Sequence, residues 1–294
     1  MNISLNLSKK SFAVYGLGST GQSVINFFIK ASFKNYVFWD DEAILRKKWK
    51  LNEKKRRHFV KALNLVDFII VSPGINPKKT KLKKILSINK SKIISDLDLF
   101  YMANSKIRSI VVTGTNGKST TCKILEHVLK RNKINTILGG NIGKPVLSLN
   151  LKRRPLVIIE ASSFQLAYSK FVKPDYAMIL NITNDHLDWH GSMKNYINSK
   201  LKIFSLQDKN NFAFIDNKSL LKKYKKKKFL GKLVYLNSNN YKKIKNRIKN
   251  NYLNSKVNIQ NMSFVHAISK KLGIRDKYFI NSLKTFKGLP HRYE

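Results

Sequence analysis

The segment at residues 111–120, VVTGTNGKST, constrains the fold of this chain more than any other. A β-branched apolar run enters a glycine-rich turn, after which Ile124, Leu125 and Val128 recur at helical spacing. This order predicts a strand, a phosphate-binding loop and a helix whose N-terminus faces an anion. The first glycine of the general G-x-x-x-x-G-K loop would fall on Val112, so this motif is a tighter and more specific form. The alternative interpretation is a glycine-rich turn with an incidental lysine.

The loop contains the groups that bind a nucleoside triphosphate. Backbone N–H groups of the turn would face the phosphates, Lys118 would reach the outer phosphates, and the Ser119 hydroxyl would ligate Mg²⁺. The predicted nucleotide-binding residues of the loop are Gly114, Thr115, Asn116, Gly117, Lys118, Ser119 and Thr120.

A second glycine motif lies near the N-terminus. The apolar run FAVY precedes GLGSTG at residues 16–21, and a further apolar run, YVFW, ends at Asp40. A G-x-G-x-x-G turn between a strand and a helix, with an acid after the next strand, is typical of Rossmann-like nucleotide-binding domains. Taken alone, this pattern indicates NAD, although it is weakly specific for which nucleotide is bound.

Acidic residues are scarce, so those at the ends of predicted strands stand out. The apolar run LVII at residues 156–159 ends in Glu160. Because ligands bind at the carboxyl ends of parallel strands, we expect Glu160 to bind Mg²⁺ opposite Ser119. The alternative is a solvated acid that merely ends the strand.

The segment DHLDWH at residues 185–190 places four potential metal ligands within six residues. Such clusters also occur in hydrolytic metal centres. Because a phosphate loop lies upstream, we instead expect a second Mg²⁺ near His186. We expect Asp188 and His190 to be structural or rim residues.

Composition narrows the class of protein. The formal charge is +42, from 58 Lys and Arg against 16 Asp and Glu, but lysine is spread along the whole chain. This spread favours a compositional bias over a specific nucleic-acid site. The tract at residues 218–250 is basic with interleaved aromatics, which could follow single-stranded nucleic acid but better fits short strands and loops with a solvated face.

No run approaches the ~20 apolar residues of a membrane span, so we expect no membrane insertion. The single cysteine, Cys122, suits a reducing compartment, and a cytoplasmic protein is expected. We expect Cys122 to be a small buried residue rather than a reactive thiol. Alternating strands and helices in both halves predict an α/β protein with parallel sheets, in which a Rossmann-like domain precedes a P-loop-type ATPase domain.

In their order along the chain, these motifs resemble those of the Mur ligases of peptidoglycan synthesis. The phosphate loop is shared with folylpolyglutamate synthases, whereas the first glycine motif and the closing GLPHR resemble the D-glutamate-adding branch. The matching segments are GLGSTG (16–21), SPGI (72–75), SDLDLF (95–100), GTNGKST (114–120), GGNIG (139–143), EASSFQL (160–166), NITNDHLD (181–188) and GLPHRYE (288–294).

The resemblance implies an ATP-dependent ligase that phosphorylates the carboxylate of UDP-N-acetylmuramoyl-L-alanine. The amine of D-glutamate then attacks the acyl phosphate, forming an amide and releasing ADP and phosphate. The implied domains are a UDP-binding Rossmann-like domain at 1–96, a central ATP-binding domain at 97–288, and at 289–294 the start of a linker to a third domain that is absent. NAD is then not implied, and a monomer without a specific nucleic-acid partner is expected.

The resemblance also implies two Mg²⁺ sites. Ser119 and Glu160 would hold one ion, and His186 and a carbamylated Lys200 would hold the other. Lys202 is the alternative lysine, and an ordinary surface lysine stays a further possibility. The implied catalytic residues are Lys118, Glu160, His186 and Lys200.

Contacts to the two nucleotides follow from the same resemblance. Asn261 and Arg292 would contact ATP in addition to the loop. The residues implied to bind the UDP-linked substrate are Gly18, Ser19, Thr20, Asp40, Ser72, Asn141, Ser162, Gln165 and His186.

Three departures from the family pattern bear on function. Asp41 and Glu42 stand where the family often has a basic residue, which should weaken or reposition UDP binding. Of an Asn-x-x-Asn pair near the adenine, Asn261 alone carries over. The chain ends at Glu294, before the third domain, so we expect it to have little or no ligase activity by itself.

Two alternatives stay open on the sequence. One is another Mur ligase or a folylpolyglutamate synthase, although the diphosphate-type glycine motif argues against the folate enzyme. The other is a nucleotide-binding protein without ligation chemistry, which uses its basic surface on nucleic acid.

Overall fold

A computed structural model describes residues 5–236, 244–248 and 250–288 of the chain. Its backbone contacts divide these residues into two compact units. Unit 1 takes in the described residues of 1–106, 145–149 and 164–172, and unit 2 those of 107–144, 150–163 and 173–294. The domain limits inferred from the sequence, at residues 96 and 288, stay a prediction.

Unit 1 contains a parallel four-stranded sheet. Its strands are β1 (Phe12–Tyr15), β2 (Tyr36–Trp39), β3 (Phe68–Val71) and β4 (Ile93–Ile94), in the order β2-β1-β3-β4. All of β1 is buried, which is typical of a strand whose two faces are both covered. The helices of this part of the chain are α1 (Leu5–Ser8), α2 (Ser19–Lys30), α3 (Ala43–Lys48), α4 (Glu53–Ala62), α5 (Lys83–Ile88) and α6 (Asp96–Ala103), with 3₁₀ turns at Lys90–Lys92 and Val146–Ser148.

Aromatic side chains form much of the unit 1 core. Tyr15 and Trp39 from the sheet pack in one cluster with Phe59 of α4. Burying a large apolar side chain contributes about 1.5–3 kcal/mol to folding, so a few such residues hold the strand ends in place.

Unit 2 contains a larger parallel sheet. Its strands are β5 (Ser109–Thr113), β6 (Thr136–Gly140), β7 (Leu156–Glu160), β8 (Tyr176–Ile179), β9 (Phe212–Ile215) and β10 (Lys232–Tyr235), in the order β10-β9-β8-β5-β7-β6. The helices are α7 (Lys118–Arg131), α8 (Ser163–Ala167, which continues into unit 1), α9 (Leu187–His190), α10 (Met193–Leu201), α11 (Lys218–Lys226), α12 (Asn251–Asn254), α13 (Lys256–Lys271) and α14 (Asp276–Leu283), with a 3₁₀ turn at Lys202–Phe204.

The central position of β5 places the phosphate loop. Val112 pairs with Glu160 of β7 on one side, and Thr113 pairs with Ile179 of β8 on the other. The loop after β5 therefore lies between the carboxyl ends of two neighbouring strands, where parallel sheets bind ligands. Helix α7 follows directly, with its apolar stripe in the core and Lys130 and Arg131 in its last turn, where they complement the helix dipole.

The predicted α/β class with parallel sheets is confirmed in both units. The interpretation of residues 218–250 as short strands and loops is wrong for residues 218–226, which form α11, and is confirmed for the short strand β10 at residues 232–235. Asn217 caps this helix, and Leu220 and Tyr224, four residues apart, bury one face while the lysines stay outside. Within the described ranges, no helix has both the length and the apolar character that crossing a bilayer requires.

Candidate functional site

The phosphate loop of unit 2 is held by the segment that follows β8. The Asn116 N–H donates to Asn181 Oδ1 at 2.8 Å, and the Thr115 N–H donates to the Asn181 carbonyl at 3.0 Å. The Thr183 N–H donates to Thr115 Oγ1 at 3.0 Å. These bonds fix the loop before any ligand binds, so little ordering is left to be done on binding.

The turn into α7 requires glycine. Gly117 has φ +79°, a left-handed conformation, and a Cβ added to it would lie 2.3 Å from Asn261 Oδ1. Lys118, Ser119 and Thr120 follow in the first turn of α7. The predicted loop residues are thus brought together at the start of one helix, with Asn261 of α13 packed against the loop.

Two lysine ammonium groups converge on one carbonyl oxygen of this loop. Lys118 Nζ donates to the Gly114 carbonyl at 3.0 Å and to the Thr115 carbonyl at 2.7 Å. Lys200 Nζ donates to the same Gly114 oxygen at 2.8 Å. Because both ammonium groups approach one oxygen, their charges disfavour each other, and the charge of Lys118 helps to lower the pKa of Lys200.

The side chain of Lys200 is 1% exposed. Burial, with the charge of Lys118 as a second cause, lowers the pKa of Lys200 to about 7. A fraction of this amine is therefore neutral near neutral pH and can act as a nucleophile. Lys202, the alternative lysine, is partly exposed in the 3₁₀ turn that follows α10.

A tyrosine that the sequence analysis missed connects these groups. Tyr196 is buried, and its hydroxyl lies 3.0 Å from Thr115 Oγ1. The Lys200 ammonium lies 4.7 Å from the centre of the Tyr196 ring. The centres of the His186 and Tyr196 rings are 6.3 Å apart. The spacing of Tyr196 and Lys200 could have revealed this contact, because both residues lie on α10 and residues four apart share one face of a helix.

Glu160 ends β7 with its side chain buried. Oε1 accepts a hydrogen bond from Asn141 Nδ2 at 3.0 Å, whereas Oε2 has no hydrogen-bond partner. A buried carboxylate oxygen without a partner is costly, and a cation is the partner that best compensates it. Glu160 therefore fits the predicted role of a Mg²⁺ ligand, and Asn141 lies directly against it.

No cluster of three or more His, Cys, Asp or Glu side chains in the described part of the chain could hold a metal ion. A site with Glu160 must therefore draw on a hydroxyl, the phosphates or a modified lysine. His186 is about half exposed, with its Nε2 3.3 Å from Asp185 Oδ2. Its φ of +53° is rare for a residue other than glycine and marks a constrained backbone at this position.

Cys122 is buried, and burial raises the pKa of its thiol well above the ordinary value. The expectation of a small buried residue is confirmed. A neutral thiol without access to solvent is a poor nucleophile.

In unit 1, the glycine turn after β1 depends on close backbone packing. Gly16 has φ +101°, and a Cβ on Gly21 would lie 1.8 Å from the Gly16 carbonyl oxygen. Ser72 Oγ donates to that carbonyl at 2.8 Å, so Ser72 supports the turn. Gly18 precedes α2, whose first residues are Ser19 and Thr20, and a Cβ on Gly18 would meet no atom within 4 Å.

Asp40 lies buried at the end of β2, where such folds bind a ribose. Its Oδ2 accepts from the Leu17 N–H at 2.6 Å, and its Oδ1 accepts from the Glu42 N–H at 2.7 Å. Asp41 accepts hydrogen bonds from Tyr15 Oη at 2.5 Å and Trp39 Nε1 at 3.2 Å. The carboxylates of Asp40 and Asp41 thus both accept hydrogen bonds from protein donors, and the weaker UDP binding expected from Asp41 and Glu42 stays a prediction.

Arg46 supplies a cation at the same edge. Its Nη1 donates to the Asp40 carbonyl at 3.2 Å and also to the Asp41 carbonyl, and its guanidinium lies 5.2 Å from the centre of the Trp39 ring. Arg46 of α3 thus places a guanidinium beside the two acids that follow β2.

The remaining predicted residues fall in different places. Ser162 lies in unit 2 and Gln165 in unit 1, where the Gln165 amide donates to both carboxylate oxygens of Asp96, at 3.0 and 3.2 Å. Burial raises the pKa of Asp96 to about 6. Arg292 lies outside the described residues, and nothing is inferred about its position.

Comparison with known protein families and structures gives concordant results. Residues 10–94 match the Mur ligase MurD-like N-terminal domain, and residues 112–276 match the Mur ligase middle domain. A UDP-N-acetylmuramoylalanine–D-glutamate ligase from Buchnera aphidicola is 35% identical over 99% of this chain and 70% of its own length. The corresponding protein of Rickettsia bellii is 34% identical over 97% of this chain and 68% of its own length.

Among solved structures, a UDP-N-acetylmuramate:L-alanyl-gamma-D-glutamyl-meso-diaminopimelate ligase from Neisseria meningitides matches 95% of this chain and 99% of that chain, with a TM-score of 0.60. At 13% identity, this likeness supports the fold alone.

Proposed function

This chain belongs to the Mur ligase family, and we propose from that premise that it acts in adding D-glutamate to UDP-N-acetylmuramoyl-L-alanine. A carboxylate is a poor electrophile, so ATP first phosphorylates it. The D-glutamate amine then attacks the carbonyl carbon of the acyl phosphate, the C–O bond to phosphate breaks, and the amide forms. ADP and phosphate are the other products.

The observation that carries this proposal is the convergence of Lys118 and Lys200 on the Gly114 carbonyl, at 3.0 and 2.8 Å. Phosphoryl transfer spreads negative charge over the transferred oxygens, which the Lys118 ammonium and a Mg²⁺ ion held by carbamylated Lys200 would neutralise. Lys118 acts on the outer phosphates in this proposal. Asn261, packed on the loop, lies near the nucleotide, and Arg292 is proposed as a further ATP contact.

We propose two Mg²⁺ ions, which would neutralise the phosphoryl oxygens when bound. We propose Ser119 and Glu160 for one ion, supported by the unpartnered Glu160 Oε2. His186 and Lys200 are proposed for the other. An ammonium cannot bind a cation, but the neutral amine adds CO₂ and loses a proton to give a carbamate anion, and its lowered pKa favours this reaction.

The glycine turn of unit 1 is proposed to hold the UDP diphosphate, with Gly18, Ser19 and Thr20 presenting N–H groups at the start of α2. Asp40 and Ser72 hold this turn in shape, and Asp40 is proposed to lie near the uracil or the ribose. The residues proposed along the muramoyl part are Asn141, Ser162, Gln165 and His186. A cytoplasmic monomer is proposed.

A ligand panel tests which ligase this is. Thermal unfolding is followed with UDP-N-acetylmuramoyl-L-alanine, with UDP-N-acetylmuramate lacking the alanine, and with dihydropteroate. We expect the largest rise in midpoint with the L-alanyl nucleotide, because ligands that bind the folded state stabilise it. A rise with dihydropteroate instead would support a folylpolyglutamate synthase.

The chain spans 68–70% of the length of the two ligases from Rickettsia bellii and Buchnera aphidicola.

A further inference from the structure

A buried histidine outside the predicted site residues joins three elements of unit 2. His190, the last residue of α9, is 2% exposed. Its Nε2 lies 3.0 Å from Ser163 Oγ, and its Nδ1 lies 3.4 Å from Ser199 Oγ. Ser163 begins α8 shortly after Glu160, and Ser199 directly precedes Lys200 on α10. One imidazole thus connects the segments that carry two of the proposed site residues.

The hydrogen bonds around His190 favour one tautomer. The Ser199 hydroxyl donates to the Asn195 carbonyl at 2.8 Å, so its oxygen is an acceptor toward His190. The proton then belongs on Nδ1, and Nε2 accepts from the Ser163 hydroxyl. A neutral imidazole protonated on Nδ1 satisfies both contacts at once.

His190 also closes the single turn of α9, before which His186 lies. The His190 N–H donates to the His186 carbonyl at 3.0 Å, and Asn195 Nδ2 donates to the His190 carbonyl at 3.0 Å. His186 at φ +53° and Gly191 at φ +79° bracket the turn, so both of its ends are left-handed. The left-handed conformation costs free energy at His186, which is not a glycine, and persists only where surrounding contacts hold it. The buried side chain of His190, at the end of the turn, holds the turn in place through its contacts with Ser163 and Ser199.

We propose that His190 is a positioning residue of the phosphoryl-transfer site. Through its two serine partners and the turn of α9, it fixes Glu160, His186 and Lys200 relative to one another. The inference rests on the proposed function, because it takes these three residues as the groups whose spacing matters.

Mn²⁺ binding, followed by electron paramagnetic resonance, tests the proposal with a non-hydrolysable ATP analogue and bicarbonate present. The wild type, His190→Ala and the control His127→Ala are compared. His127 is another histidine of unit 2, and its Nε2 lies 2.8 Å from the Ser282 carbonyl, away from the loop. We expect the wild type and the control to bind two ions. His190→Ala should keep the first ion and bind the second about tenfold or more weakly, as is typical when the support of a metal ligand is lost.

Binding of both ions by His190→Ala with unchanged affinity overturns the proposal, even if the variant is less stable. If His190→Ala does not fold, Ser163→Ala and Ser199→Ala replace it, since each removes one contact. Each serine substitution should weaken binding of the second Mn²⁺ ion several-fold. If both variants bind that ion with wild-type affinity, the proposal is overturned. His190→Gln, which can still accept from the Ser163 hydroxyl, should restore part of the loss.

A second measurement keeps this inference separate from the proposed function. If the wild type binds a single Mn²⁺, the two-ion proposal fails, and the tautomer then decides the role of His190. Long-range ¹H–¹⁵N NMR, with His190→Gln to assign the signal, should show the proton on Nδ1 and a change at Nε2 in Ser163→Ala. A proton on Nε2, or no response to Ser163→Ala, overturns the proposal.

Discussion

The Asn261 side chain occupies the space that a Cβ atom on Gly117 would need, with its Oδ1 2.3 Å from that position. Gly117 is therefore required twice, because its φ of +79° is also left-handed. The contact joins α13 to the loop at the point where α7 begins. Helix α13 thus takes part in shaping the phosphate loop.

Gly117→Ala should therefore abolish ADP binding, because both the backbone conformation and the position of Asn261 must change. The matched control is Gly143→Ala, where φ is +68° but a Cβ would meet no atom within 4 Å. Gly143→Ala should lose only about 1–2 kcal/mol of folding stability, through backbone strain, and should retain its affinity for ADP. Calorimetric titration of ADP with Mg²⁺ and thermal unfolding measure the two effects. Equal losses of affinity in both variants would contradict the role given to Asn261.

Asn181→Ala should weaken ADP binding about tenfold, because the loop loses the side-chain partner of the Asn116 N–H and must be ordered on binding. Asn135→Ala is the control, since the Asn135 amide donates to the Arg153 carbonyl in an exposed region. Both affinities come from titration of ADP with Mg²⁺. An unchanged affinity in Asn181→Ala would show that the loop is held without this residue.

Glu160→Gln should raise the stability of the ligand-free chain while weakening binding of Mg²⁺ with a nucleotide. The substitution removes a charge from a carboxylate whose Oε2 has no partner, but it also removes the best cation ligand on β7. Glu126→Gln is the control, because Glu126 is paired with Lys123 and Lys130 and should show the opposite change in stability. Chemical unfolding and Mn²⁺ titration measure the pair of effects. A destabilised Glu160→Gln chain would contradict this account.

The raised pKa of the buried Asp96 carboxyl should make the stability of the folded chain depend on pH. Burial raises its pKa from 3.8 to about 6, so the folded state binds this proton more tightly than the unfolded state. The stabilisation from Asp96 is therefore complete below pH 3.8 and is lost as the pH rises through about 6. The free energy of unfolding of Asp96→Asn, relative to wild type, should rise by on the order of 2 kcal/mol between pH 4 and pH 7.5. A difference that does not change with pH would contradict the raised pKa.

The sequence predicted the parts of the site that lie close together along the chain. The strand, loop and helix around Gly114 to Ser119, and the acid at the end of β7, follow from local pattern and from the rule that parallel sheets bind ligands at their carboxyl ends. The distance between Lys118 and Lys200 could not be predicted in this way, because it depends on how α10 packs under the loop. The role of Tyr196 depends on a contact with Thr115 that spans 81 residues.

Gln165 shows the same limit in unit 1. The motif that carries it resembles a substrate-binding segment, yet the structure places its amide on Asp96, in a separate motif. Burial explains the difference, because a buried carboxylate needs a donor and Gln165 supplies one. Local pattern identified the residue but not its partner.

Calorimetric titration of UDP-N-acetylmuramoyl-L-alanine into this chain, with NAD as the comparator, tests the central claim most directly. Turnover would be harder to interpret, since the 294 residues correspond to only part of the relatives' length. The account predicts saturable binding of the muramoyl nucleotide and no binding of NAD. Binding of NAD without the muramoyl nucleotide would contradict it, because the glycine turn of unit 1 would then serve a dinucleotide.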